Sequence, residues 1–215
     1  MLYSSAELVY REVKELILSG ELPGAEMISE GEIAKRMELS RTPVREAFLR
    51  LEAEGWMRLY PKRGALIVPV ADGEAENTVD ARQMVETQSV RSAASRPAVL
   101  KALAADLQAN LSEQQSIAER GDVAAFSAAD ADFHRAIVKA GGNPLLDTFY
   151  ASLRERQRRM TAHSIARDPG QLSKIMDDHR KLAELVAAGD ADRFGPAVLT
   201  HMREVHGLEP RGDAR

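Results

Sequence analysis

The 215-residue chain contains no cysteine. That absence removes disulfide scaffolds, thiol nucleophiles, iron–sulfur clusters and thiolate zinc fingers together. No apolar run approaches the ~20 residues needed to cross a bilayer, so neither a spanning helix nor a membrane partner is expected. Residues Met1 to Tyr10 lack a positively charged start followed by an apolar block, so no secretory signal is expected. Neither sign of charge dominates: 29 Lys and Arg against 33 Asp and Glu leave a net charge of −4, ordinary for solubility and by itself no mark of a nucleic-acid or membrane surface. Internal repeats and low-complexity tracts are missing too. Hydrophobic residues make up 44%, enough for a packed core. A soluble, cytoplasmic protein of one or two domains is predicted.

What is present divides in two at Pro69-Val70-Ala71-Asp72-Gly73, the best linker candidate. Residues 1–70 mix helical patterns with a short β-rich run, and residues 73–215 read as helix throughout. In the first segment Val9, Val13, Leu16 and Ile17 share one helical face, and Ser19-Gly20 ends that helix. Ser29 with Glu32 makes a capping box, flanked by Ile28 and Ile33 at the positions of a hydrophobic staple, so a short helix is predicted from Ser29 to about Met37. Ser40 can cap the next helix. Leu39 and Val44 are its staple pair, Pro43 lies in its first turn, Val44, Ala47, Phe48 and Leu51 form its apolar stripe, and Gly55 stops it. Met57–Tyr60, Pro61-Lys62-Arg63-Gly64 and Ala65–Val68 then read as strand, turn and strand. The whole predicts a winged helix-turn-helix with a small β-hairpin wing.

Arg41 and Arg45 lie four residues apart near the start of the second short helix and project away from its apolar stripe. Arginines on a helix entering the major groove can pair with guanine edges, while Thr42 and backbone N–H groups meet phosphate. Residues 1–70 hold ten basic and eleven acidic side chains, yet residues 35–63 hold eight basic against four acidic. That local excess on the presumed reading helix and the Lys62-Arg63-Gly64 wing tip is the footprint DNA binding requires. Solvated pairs between the arginines and nearby glutamates are the bland alternative.

The second segment predicts six helices, at about Glu74–Ser95, Pro97–Gly121, Asp122–Ala140, Asn143–Met160, Asp168–Ala188 and Asp190–His206, joined by short connections into an antiparallel all-α bundle. All five histidines fall here. Asp130 and His134, at i and i+4, share a face with Phe126, Phe133 and Ile137 that is at least partly inward, and His179 and His201 lie on two further helices. Three imidazoles and a carboxylate can converge in such a core and suit a borderline divalent ion, although a dispersed histidine is more often a surface or satisfied core residue. Phe149, Leu153, Arg156 and Met160 suggest one stripe, with Arg156 inward, and Arg82 shares a stripe with Val79, Glu86 and Val90. A buried arginine needs an anion. For Arg82 either Glu86 or a bound anion serves, whereas Arg156 has no acidic neighbour on its stripe and favours a ligand.

Ser40-Arg41-Thr42-Pro43-Val44-Arg45-Glu46-Ala47 followed by Leu51-Glu52-Ala53-Glu54-Gly55 closely resembles the signature of GntR-family winged-helix repressors. Gly31 stands where relatives often carry a longer polar or basic side chain. Asp130-Ala131-Asp132-Phe133-His134, Gly142-Asn143-Pro144-Leu145-Leu146 and Asp178-His179-Arg180 look like the ligand-binding FCD domain of the FadR subgroup. The resemblance implies a double-stranded DNA operator read by Arg41, Thr42, Arg45, Lys62, Arg63 and Gly64. It implies a divalent metal on Asp130, His134, His179 and His201, with zinc expected and nickel or manganese as alternatives. His206 is the weaker choice beside His201, and His163, in a loop-like stretch, has no counterpart. It further implies a small organic acid effector at Arg82 and Arg156. Residues 1–70 would then be the DNA-binding domain and residues 73–215 the effector-binding and homodimerisation domain. The expected function is a sequence-specific regulator, a repressor, and not an enzyme. A metal-dependent hydrolase and a non-specific nucleoid protein are the competing classes.

Overall fold

The computed structural model describes residues 3–71 and 73–208; Asp72 of the linker and residues 209–215 of the second segment lie outside the described residues. Two compact units divide the chain, Met1–Ala71 and Asp72–Arg215.

In the first unit α1 (Ser5–Leu18), α2 (Glu30–Arg36) and α3 (Arg41–Ala53) pack with three short strands, β1 (Met27–Ile28), β2 (Met57–Tyr60) and β3 (Gly64–Ile67). The strands run antiparallel in the order β1-β3-β2, with Met27 opposite Leu66 and Met57 opposite Ile67. The hairpin follows the reading of the sequence, but β1 does not, because two residues are too short to carry a period-two signal. The Ser29–Glu32 capping box forms with both bonds, 3.1 Å from Glu32 N to Ser29 Oγ and 2.7 Å from Ser29 N to Glu32 Oε2. Ser40 occupies the N-cap of α3 without a side-chain cap bond. Val9, Val13, Ile17, Val44, Phe48 and Leu51 meet as the core and carry no exposed surface. Burying a side chain such as Phe48 contributes about 1.5–3 kcal/mol.

The second unit is a bundle of α4 (Glu74–Ala94), α5 (Pro97–Arg120), α6 (Val123–Ala140), α7 (Pro144–Arg167), α8 (Gln171–Ala187) and α9 (Ala191–His206). Helix α7 continues seven residues beyond the expected Met160, so His163 is helical, and it points outward. Asp168 and Pro169 break the chain there, and α8 begins at Gln171 rather than Asp168. The ends of α4 and α6 are clamped together: Ser92 Oγ donates to Gly141 O at 2.8 Å, and Arg96 Nη2 donates to Ala140 O at 2.6 Å. A Cβ on Gly141 would stand 2.8 Å from Ser89 Cβ, so glycine there lets the two helices approach closely enough for Glu86 to reach α6. Among the described residues no helix is long and apolar enough to cross a membrane.

Candidate functional site

In the first unit, the start of α2, helix α3 and the hairpin tip bound a cleft of about 620 Å³ whose lining includes Gly31, Arg41, Arg45, Tyr60, Lys62 and Arg63. The four basic side chains are exposed, and among the described residues none forms an ion pair, so pairing with glutamates does not occupy them. Thr42 is exposed beside them. Arg36 and Arg50, by contrast, are spent internally: Arg36 pairs with Glu21 at 2.7 Å, and Arg50 pairs with Glu7 at 2.7 Å and lies over the Tyr10 ring. Of the eight basic residues counted from sequence, Lys35, Arg41, Arg45, Arg58, Lys62 and Arg63 stay outside these pairs, four of them at the α3 start and the hairpin tip. There Arg63 N donates to Tyr60 O at 3.0 Å across a turn in which Lys62 has φ +61°. This is the second central position of a type II turn, one that glycine or asparagine usually fills. Gly64 follows with φ +102° and lies against the Ile28 carbonyl, where no side chain would fit. Its role at the tip is thus conformational, with no side chain to offer a ligand. Arg41 lies over Gly31, whose added Cβ would stand 3.4 Å from Arg41 Nη2.

In the second unit Asp130, His134, His179 and His201 come together, all buried, with ligand atoms within 4.8 Å of one another. That is close to the ~4.2 Å separating opposite ligands on one ion at about 2.1 Å. The ring centroids of His179 lie 5.0 Å from those of both His134 and His201, and Phe133 stacks on His179 at 4.2 Å. Each imidazole is held through Nδ1: His134 by Glu86 Oε2 of α4 at 2.7 Å, His179 by Gln114 Oε1 of α5 at 3.0 Å, and His201 by Asp178 Oδ2 of α8 at 3.3 Å. Carboxylate and carbonyl oxygens only accept, so each Nδ1 carries a proton, and in the neutral ring each Nε2 then carries a lone pair. The Nε2 atoms of His134 and His179 are buried with no hydrogen-bond partner. Asp130 Oδ2 accepts from Gln157 Nε2 at 2.9 Å and Thr161 Oγ1 at 3.0 Å of α7, while Oδ1 lies 3.4 Å from His179 Nε2. Lone pairs thus face one another without a proton between them, the arrangement of a cation site. Every helix of the bundle supplies a member of the cluster or its hydrogen-bond partner. Spacing together with the family resemblance named the four residues that the structure brings together, but missed Glu86 as a histidine partner, along with Gln114, Gln157, Thr161, Tyr150 and Asp178, because each meets its partner only through tertiary packing.

Arg82 is fully enclosed. Its Nε donates to Tyr150 OH at 3.0 Å and lies 3.3 Å from Glu86 Oε1, while Nη2 is buried with no partner. An internal anion thus faces one side of the guanidinium, and a donor stays uncovered on the other. Arg156 does not line the cluster. It is half exposed and binds Glu74 at 2.9 Å. The inward stripe of α7 is Tyr150, Leu153, Gln157, Met160, Thr161 and Ser164, a face whose polar members hide the helical phase, and Phe149 is 47% exposed. His206 is largely enclosed, with Nδ1 3.2 Å from Ser164 Oγ.

The family profile described as "Bacterial regulatory proteins, gntR family" matches residues 5–67, and the FCD domain profile matches residues 77–204. The chain belongs to the GntR family. This GntR-family protein is 29% identical over 186 residues to a probable D-xylose utilization operon transcriptional repressor of Paenarthrobacter nicotinovorans, covering 86% of this chain and 80% of that one. It is 26% identical over 202 residues to the galactonate operon transcriptional repressor of Escherichia coli, covering 87% and 88%. Its fold matches E. coli McbR/YncC with a TM-score of 0.72 at 22% identity, over 96% of this chain and 97% of that one. The GntR-family protein is a transcriptional regulator rather than an enzyme, which sets the hydrolase reading aside.

Burial, reinforced by the neighbouring His201 and His134, holds His179 well below the ordinary imidazole pKa. Burial also lowers His201, against the opposing hydrogen bond to Asp178, and lowers His206 strongly. The unfolded chain regains a value near 6.5, so it takes up more protons as acid is added. The stabilisation is full above about pH 6.5 and is lost as pH falls toward the folded-state values, at up to about 1.4 kcal/mol per pH unit for each histidine. The melting temperature of metal-free protein is expected to fall steadily from pH 7.5 to 5.5. A midpoint that holds or rises across that window would contradict the lowered, buried state of His179, His201 and His206.

Proposed function

We propose that this regulator is a homodimeric, operator-binding repressor whose DNA affinity responds to a small carboxylate bound beside a divalent ion in the helical unit. The observation that carries the reading is the buried, partnerless Nε2 lone pairs of His134 and His179 beside the Asp130 carboxylate. Asp130, His134, His179 and His201 would hold the ion. Their nitrogen and oxygen donors suit zinc, with nickel or manganese as alternatives, and disfavour thiophilic ions. An ion held there would supply concentrated positive charge and open coordination positions for an effector oxygen. Arg82 Nη2 offers the acid a further donor. Gln157 turns its amide nitrogen to Asp130, so its Oε1, buried and without a partner, asks for a donor from the ligand. An uncovered donor and an uncovered acceptor beside a cation favour a hydroxy acid over a plain carboxylate. The relative named for a galactonate operon fits this chemistry, since galactonate is a polyhydroxy acid.

At the DNA, Arg41 and Arg45 would read base edges in the major groove, Thr42 would meet phosphate, and Lys62 and Arg63 at the turn beside Gly64 would meet phosphate or a narrow minor groove. Two copies would read half-sites about one helical turn apart. Met84 on α4 and Leu145 and Phe149 on α7 are 69%, 80% and 47% exposed. Met84 and Phe149 adjoin in sequence Val85 and Tyr150 of a small buried cluster with Val138 and Leu153, and these exposed apolar side chains of α4 and α7 favour a dimer contact through the helical unit.

Arg41→Ala and Arg45→Ala are each expected to lose about 1–3 kcal/mol of specific operator binding. Arg63→Ala should weaken all sequences evenly. Full operator affinity in the Arg41/Arg45 double variant, measured at stated salt, would remove the reading helix from the account. Wild type should carry one divalent ion per chain by elemental analysis, and His134→Ala should carry none and lose the response of operator binding to candidate hydroxy acids. Equal substoichiometric metal in both, with an unaltered response, would contradict the site. Sedimentation of the Met84→Lys/Phe149→Lys double variant should give monomers where wild type gives dimers. A dimer of undiminished stability would move the contact elsewhere.

A further inference from the structure

Glu86 is a fully enclosed carboxylate on α4. Three donors converge on it: Tyr150 OH and Arg82 Nε on Oε1, and His134 Nδ1 on Oε2. Asp130 receives its bonds from neutral groups, Gln157 and Thr161. Gln114, which holds His179, is itself neutral. Asp178, partly exposed, ties Lys174 and Lys181 to His201, whereas Glu86 joins a fully buried cation, Arg82, to His134.

We propose that Glu86 is a positioning residue that selects the tautomer of His134 able to bind a metal ion, and that Arg82 and Tyr150 aim it. An imidazole can carry its proton on either nitrogen, and only the Nδ1–H form leaves a lone pair on Nε2. Nothing at Nε2 of His134 fixes the choice, since that atom has no partner. The choice falls to the group at Nδ1, and an acceptor-only carboxylate there admits one answer. Arg82 and Tyr150 lock the other oxygen, so the carboxylate cannot swing away without leaving a buried guanidinium and a buried phenol without their anion. The same lock leaves Arg82 Nη2 uncovered, so one carboxylate prepares both the metal ligand and the donor beside it.

Glu86→Gln separates this role from simple packing. The amide keeps the shape but has one acceptor end and one donor end. Arg82 cannot surrender its charge, so the amide oxygen turns to Arg82 and Tyr150 and the NH₂ faces His134. Facing a donor, His134 Nδ1 becomes an acceptor and the proton moves to Nε2, which is the wrong form for an ion.

The inference rests on the proposed metal site, and the test separates the two. Full-length protein with ¹⁵N-labelled histidine is stripped of metal, and the tautomer of His134 is read from its ring nitrogen shifts. Zinc alone is then titrated against a competing chelator. Wild type is expected to show Nδ1–H at His134. Glu86→Gln should show Nε2–H and bind zinc about 10–100-fold more weakly. Zinc uptake of equal affinity in both proteins, with the tautomer unchanged, would overturn the role of Glu86 while leaving the metal site standing. A wild type that takes up no zinc would overturn both. Should Glu86→Gln fail to fold, the wild-type spectrum still decides, because an Nε2–H tautomer at His134 contradicts the proposal without any variant.

Discussion

Three imidazoles and a carboxylate, buried and turned toward one another, form an arrangement that is unfavourable without a cation, and the helical unit is built to hold it. Desolvation holds His179 and His201 below the ordinary imidazole pKa. Acceptors on α4, α5 and α8 fix each ring through Nδ1, and donors on α7 fix the far oxygen of Asp130. Each of these groups would be costly to bury without a partner. The cluster is therefore preorganised by satisfied hydrogen bonds on its outer side and left unsatisfied only at its centre.

The close approach of α4 to α6 follows from the same requirement. Glu86 must reach His134, and that distance is set at the helix ends, where Gly141 admits Ser89 and where Ser92 and Arg96 bind the terminal carbonyls of α6. Helix α4 thus carries the Arg82–Glu86 pair on its inner side and Met84 on its outer side, and α7 likewise carries Tyr150 inside and Phe149 outside. A ligand drawing Arg82 away from Tyr150 would act on the two helices that carry the exposed Met84 and Phe149. In the proposed dimer that gives effector binding a short physical route to the contact between copies.

Much of the framework was legible because it rests on local rules. The capping box at Ser29, the stripe from Val44 to Leu51 and the hairpin around Pro61–Gly64 each depend on residues a few positions apart. Asp130 and His134 were legible for the same reason. What was not legible depends on distance in the chain or on phase. His134 and Glu86 are 48 residues apart. Helix α7 buries Gln157, Thr161 and Ser164, so its inner face is not apolar, and an apolar stripe through Phe149 and Arg156 points both inward when both are outside. Strand β1 is too short to announce itself, and Arg50 counts as DNA-facing charge until its tie to Glu7 across α1 and α3 is seen.

The central claim is that the centre of this cluster is a metal site with three histidine ligands. Zinc-edge X-ray absorption of the full chain loaded with one equivalent of zinc tests it most directly. The account expects a first shell of nitrogen and oxygen only, with outer-shell scattering from three imidazole rings at metal–nitrogen distances of about 2.0–2.1 Å. A spectrum lacking imidazole scattering would place the ion elsewhere and contradict the account.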